Sequence, residues 1–165
     1  ADEIIIDEVA YSSKWHAHSV KNKKGVALER IDPDAATQDA ANWTSASETV
    51  GYGTPGYQNS QYKDASSGGA TGIEPPVWIE ESGSYTVSYL LDRPGYSCRA
   101  FVFNTSGLRV ADISNHELLG ISGKITWSGV ANNGSPLQTG VYIFYAEIYH
   151  PEGTVKRFKK AFLIR

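Results

Sequence analysis

Apolar and polar side chains alternate with a period of two through much of the second half of the chain, the repeat that sends successive residues to opposite faces of a strand. Tyr85, Val87, Tyr89 and Leu91 share one side, and Thr86, Ser88 and Leu90 the other. Arg93-Pro94-Gly95 turns this strand into a second over 98–103, and Asn104-Thr105-Ser106-Gly107 turns that into a third over 108–111. Residues 124–127 predict another strand, followed by an Asn133-Gly134 turn. Residues 141–149 and 154–164 then form a hairpin through His150-Pro151-Glu152-Gly153, with Pro and Gly where a type I turn accepts them. Short strands punctuated by frequent turns predict an all-β sandwich.

The hairpin strands also predict their own positions. Val141, Ile143 and Tyr145 project to one side and Tyr142, Phe144 and Ile148 to the other, the pattern of a central strand covered on both faces. In the last strand Phe158, Phe162 and Ile164 share a face while Arg157 and Lys159 occupy the opposite one, as on an outer strand with one wet face.

The first 57 residues are patterned differently. Ile4-Ile5-Ile6 and 26–31 read as strands, separated by a polar loop, Lys21 to Gly25. Asp32-Pro33-Asp34 stops the second, because proline supplies no ladder donor and biases Asp32 away from helix. Trp43 is the one large anchor between 34 and 50, and residues 51–57 are Gly- and Tyr-rich turn chemistry. Gln58-Asn59-Ser60-Gln61 and Ala65-Ser66-Ser67-Gly68-Gly69 carry too little apolar surface to offset the entropy of ordering. The predicted organisation is a β-unit over 1–57, a linker over 58–76 and a sandwich over 77–165.

Composition narrows the function. The chain has 165 residues, 41% hydrophobic and 20% charged, with ten tyrosines and a net charge of −3. That balance argues against a nucleic-acid partner, whose proteins carry a basic face. No stretch approaches the roughly 20 apolar residues of a spanning helix, so no membrane insertion is expected. The chain begins at Ala1 and has no methionine, as in a mature or trimmed piece. Cys98 is the single cysteine and alternates with Ala100 and Val102, which makes it a small buried hydrophobe rather than a nucleophile.

Candidate chemistry is sparse. Trp15-His16-Ala17-His18 is the one metal-ligand spacing, with Asp7 or Glu8 as a third ligand, and it reads better as two solvated loop histidines. His116 and His150 sit in turn-like surroundings. Asp2-Glu3, Asp7-Glu8 and Glu80-Glu81 are adjacent pairs that a strand would point apart, and Asp32/Asp34 belong to a turn. No Gly-x-Ser-x-Gly elbow and no lysine-bearing phosphate loop occurs. The expectation is no catalytic residues, no metal and no cofactor. Lys156-Arg157-Phe158-Lys159-Lys160 could suit single-stranded nucleic acid, but reads better as an outer strand whose lysines block edge pairing.

Two resemblances emerge from these motifs. Tyr85-Thr86-Val87-Ser88-Tyr89, Ala100 to Asn104 with Ser106-Gly107, Trp127-x-Gly129, Asn133-Gly134 and Gly140-Val141-Tyr142-Ile143 make residues 77–165 resemble the immunoglobulin-like domain named after the flagellar hook-capping protein FlgD. The family's Asp- and Gly-rich opening loop is replaced here by Val77 to Gly83. Residues 3–60 resemble the second half of a bacterial lamin-tail-type domain through Ile6 to Tyr11, Trp15-His16, Leu28 to Pro33, Asn42-Trp43 and Thr54 to Ser60. The first strands of such a domain are absent. This incomplete unit is therefore expected to dock on the sandwich or to pair with a second copy as a homodimer.

The fold implied is an immunoglobulin-like, Greek-key β-sandwich preceded by a partial immunoglobulin-like β-unit. The function implied is a non-catalytic structural, adhesion or presentation module of an exported, surface-associated bacterial protein, secreted or at the cell surface, with a protein or surface-glycan partner. The alternatives are the accessory tail of a secreted hydrolase, or a carbohydrate-binding module using Trp15, Trp43 or Trp78, with Trp127 in the core. A third is a C-terminal secretion domain, since the basic, apolar-ended last strand resembles type IX sorting domains.

Overall fold

Ten strands and no α-helix make up the described residues, 6–63 and 70–165, of the computed structural model. The strands are β1 (Leu28–Arg30), β2 (Trp43–Ser45), β3 (Gly72–Ile73), β4 (Val77–Ile79), β5 (Ser84–Leu90), β6 (Ser97–Asn104), β7 (Arg109–Leu118), β8 (Ser122–Trp127), β9 (Gly140–Tyr149) and β10 (Val155–Ile164). One antiparallel sheet has the order β10-β9-β6-β7. In the second, β5 is central, with β8 along one side and β3 and β4 end to end along the other. The protein is all-β, and these two sheets face each other as a sandwich.

The core lies between the inward positions that alternation selects. Cys98, Ala100, Val102, Phe144, Ala146 and Ile148 come from one sheet, and Tyr85, Val87, Tyr89 and Ile125 from the other, all buried. Trp127 packs at the margin, with Tyr85 at 5.6 Å and Phe162 at 6.3 Å between ring centroids. The β9–β10 hairpin turns as its sequence predicts: the His150 N–H donates to Thr154 O at 2.8 Å and the Gly153 N–H to His150 O at 2.9 Å.

Three expectations about strands are corrected. β9 is central, but only its inner face is covered; outward Val141 is exposed and Tyr145 meets its neighbour Phe103 edge-on at 6.3 Å. β7 runs seven residues beyond Ala111, and its register against β6 shifts three times, so bulges break the simple alternation. The predicted strand over 26–31 shrinks to Leu28–Arg30, because the Val26 N–H turns back to Lys23 O and the Ala27 N–H goes to Tyr52 O.

The first unit is a ribbon, β1–β2, held largely by polar groups, and it docks on the sandwich. Its centre is Glu29, 3% exposed, whose carboxylate accepts from Thr54 Oγ1 at 2.6 Å, Ser60 Oγ at 2.7 Å and the Gln61 N–H at 3.0 Å. These bonds pull 54–61 over the ribbon and aim it at the β7–β8 connection. There the Ile121 N–H donates to Ser60 O at 2.9 Å, and Ser47 Oγ donates to Leu118 O at 3.0 Å. The buried Gln61 amide spans both sides, donating to Ser45 O and to Leu119 O at 3.1 Å each. Approach is so close that a Cβ on Gly120 would lie 2.6 Å from Ser60 O.

The 58–76 stretch is therefore not a free linker at its ends. Ser60 and Gln61 belong to the docking contact, where hydrogen bonds supply what apolar burial does not, and Gly72–Ile73 form β3, with Ile73 buried in the core. Residues 64–69, the Ser- and Gly-rich part, lie outside the described residues, as do Asp2, Glu3, Ile4 and Ile5. Ile6, at the start of the described residues, is exposed.

Candidate interaction surface

A concavity lies where the two sheets part. Among the described residues β4 pairs only with β5, and β10 only with β9, so each turns an edge outward that no described strand pairs. Between β4 and the end of β10 runs a groove of about 660 Å³, lined by Val77, Trp78, Tyr85, Leu137, Leu163 and Arg165 among others. Trp78 packs edge-on against the buried Tyr85 ring, 5.1 Å between centroids, and Tyr85 packs in turn against Phe162 at 5.7 Å. The floor is thus the sandwich core itself, while the walls are bare. Val77 is 55% exposed, Trp78 41%, Leu163 49%, and Val141, the cross-strand partner of Leu163, 54%. Contiguous exposed apolar groups of this kind mark contact sites.

Charge is distributed unevenly along β10. Lys156 Nζ lies 2.9 Å from Asp92 Oδ1 and 2.6 Å from Thr71 Oγ1, tying the start of β3 to the last strand. The Thr71 hydroxyl, with help from Lys156, holds the Asp92 carboxyl below its ordinary range. Arg157 pairs with Glu147 at 2.8 Å. Lys159 and Lys160 make no ion pair among the described residues. The basic run is therefore half-neutralised, on an outer strand of the sandwich.

No family model matches the chain, and no curated protein matches it. Among solved structures it is similar to FlgD from P. aeruginosa, at 18% identity and a TM-score of 0.41, over 52% of this chain and 65% of that one. It is also similar to PorZ, an essential bacterial surface component of the type-IX secretion system of Porphyromonas gingivalis. That match has 18% identity and a TM-score of 0.35, over 64% of this chain and 13% of that one.

The other candidates from the sequence fall apart spatially. His16 Nδ1 lies 2.9 Å from Ser45 Oγ, and burial together with the Lys23 charge lowers its pKa. His18 is exposed. Asp7 is tied to Thr37 Oγ1 at 2.6 Å and to Arg30 at 3.3 Å, and the Glu8 carbonyl accepts from Gln38. Among the described residues no three His, Cys, Asp or Glu side chains are placed to hold a metal ion. Asp32 Oδ1 accepts from the Asp34 N–H at 2.9 Å, the turn that ends β1. His116 sits inside β7 at φ 68 rather than in a turn, and His150 packs on Tyr96 at 5.2 Å.

The tryptophans do not form one platform. Trp15 and Trp43 stack on each other at 6.2 Å, and Trp43 Nε1 donates to Thr37 O at 2.8 Å, while Trp78 lies in the groove. Sequence reasoning missed two features. The apolar run Pro76 to Ile79, bounded by Glu80-Glu81, was the available signal for the groove wall. The second is a small cleft holding Glu48 of the first unit and Glu117 of β7, where burial, assisted by the Glu48 charge, raises the Glu117 pKa.

Proposed function

We propose that this chain is a non-catalytic structural or presentation module of an exported, surface-associated bacterial protein, working by surface contact. The observation that carries this reading is the β4–β10 groove, whose core-backed aromatic floor and exposed apolar walls offer a surface for contact. The immunoglobulin-like resemblance of 77–165 supports it, since such sandwiches serve as scaffolds whose edges and loops bind. The test is antibody labelling of intact and permeabilised cells of the producing bacterium. Labelling of intact cells is expected, and labelling confined to permeabilised cells would refute export to the surface.

A second reading, a carbohydrate-binding module, rests on Trp78, the exposed tryptophan of the groove. A glycan array on the native protein and on Trp78→Ala decides it: native binding lost in the variant supports the reading, and an empty array disposes of it.

A further inference from the structure

We infer that the seam between β4 and β10 accepts a strand: an extended peptide segment of a partner protein, with alternating apolar and acidic side chains, adds to the free edge of β10. The inference rests on the contact-module reading above and gives it a partner chemistry. Three observations carry it. The free edge is long and regular, since β10 pairs with β9 through ten consecutive positions without a register shift. An edge of that kind is a template for another strand unless it is blunted.

The second observation is where exposed apolar groups lie. Val77, Trp78, Val141 and Leu163 cluster around the C-terminal half of β10. A strand laid beside Ala161–Ile164 sends alternate side chains inward, in line with Phe162 and Ile164, against Trp78 and Tyr85. The groove volume of about 660 Å³ lies within the roughly 300–1,000 Å³ of ordinary binding clefts.

The third is charge, which selects the occupant. Lys159 projects from the outer face and the half-buried Lys160 from the inner face, neither with a carboxylate partner among the described residues; Arg165 and Glu80 both line the groove and offset each other, so the selecting charges are the lysines. Two copies joined edge to edge through β10 would bring these lysines opposite each other, and like charges facing across a ladder destabilise it. A strand with its apolar side chains inward turns its carboxylates to the outer face, where Lys159 stands. The edge therefore repels its own copy and attracts an acidic partner.

The experiment uses the whole chain and three synthetic peptides, read by titration calorimetry with amide exchange over 155–164. One peptide alternates glutamate with valine or isoleucine over eight residues, the second has lysine for glutamate, and the third is the first N-methylated at alternate amides, made in both registers. The acidic peptide is expected to bind at least about tenfold more tightly than the lysine peptide and to slow exchange on β10. At least one N-methylated register should fail to bind. Trp78→Ala should weaken the acidic peptide at least about tenfold, and Lys159→Glu with Lys160→Glu should reverse the preference between acidic and basic peptides. Equal affinity for both peptides, undiminished binding by both N-methylated registers, or no effect of either variant overturns the inference. So does concentration-dependent dimerisation of the free protein that Trp78→Ala abolishes, since a second copy would then fill the groove. Cell-surface labelling is independent of all these outcomes, so export and strand acceptance fail separately.

Discussion

Replacing Glu29 with alanine should release the first unit from the sandwich without unfolding the sandwich. The carboxylate is 3% exposed and accepts three hydrogen bonds, from Thr54 Oγ1, Ser60 Oγ and the Gln61 N–H. A buried donor left unpaired costs about 1–3 kcal/mol. The Gln61 amide meets that cost in full, because Gln61 is wholly buried. The two hydroxyls belong to half-buried residues that reach water more easily, so together they add about 1–2 kcal/mol. A loss of about 2–5 kcal/mol is therefore expected, enough to open a unit held by few apolar contacts. Amide exchange by mass spectrometry reads it directly. The Ile121 N–H, bonded to Ser60 O, should lose protection, whereas amides of β6 and β9 should keep theirs. Glu29→Gln should fall between alanine and native, since its amide keeps one acceptor oxygen but turns N–H groups toward donors. A Glu29→Ala protein within 1 kcal/mol of native in urea, with Ile121 still protected, would refute this account.

Three further outcomes follow from the same geometry. Gly120→Ala should loosen the docking contact while the sandwich stays folded, because its Cβ would lie 2.6 Å from Ser60 O; unchanged Ile121 exchange would contradict this. Burial pushes the Cys98 thiol up to about 12, so a disulfide reagent at neutral pH should label it only on unfolding, and rapid native labelling would count against the burial. Glu117 has a raised pKa, so the native state holds its proton more tightly than the unfolded chain. Its contribution is most favourable below the ordinary value of 4.5 and is lost as pH rises through the native value. Glu117→Gln should raise stability near pH 7 and flatten the decline above about 4.5, and a variant less stable at pH 7 would sink the argument.

What the sequence disclosed follows the kind of force at work. β5 and the β9–β10 hairpin were legible because Tyr85, Val87, Tyr89, Phe144 and Ile148 alternate with polar or outward residues and fill one core. The later part of β7 was hidden, since its bulges interrupt the period and Asp112, Asn115 and His116 read as loop. The first unit was harder still. Its burial is carried by Glu29, Ser45, Ser47 and Gln61, residues whose type predicts exposure and whose long-range partners lie 13 to 71 positions away. Trp78 and Trp127 look alike in the chain. One lines a groove at an edge and the other packs beside the core, a distinction set by strand order, which local patterning does not encode.

Tyr85 and Tyr89 stand on the same inward face of β5, four residues and about 13 Å apart. The first forms the floor of the open groove, and the second meets Thr49 Oγ1 of the first unit at 3.2 Å and accepts from the Gly120 N–H of the β7–β8 connection at 3.3 Å. The sandwich is thus covered by the first unit at one pole and grooved at the other. The two lie at opposite ends of β5, so the module has the geometry of a coupling piece, with its two contact surfaces clear of each other.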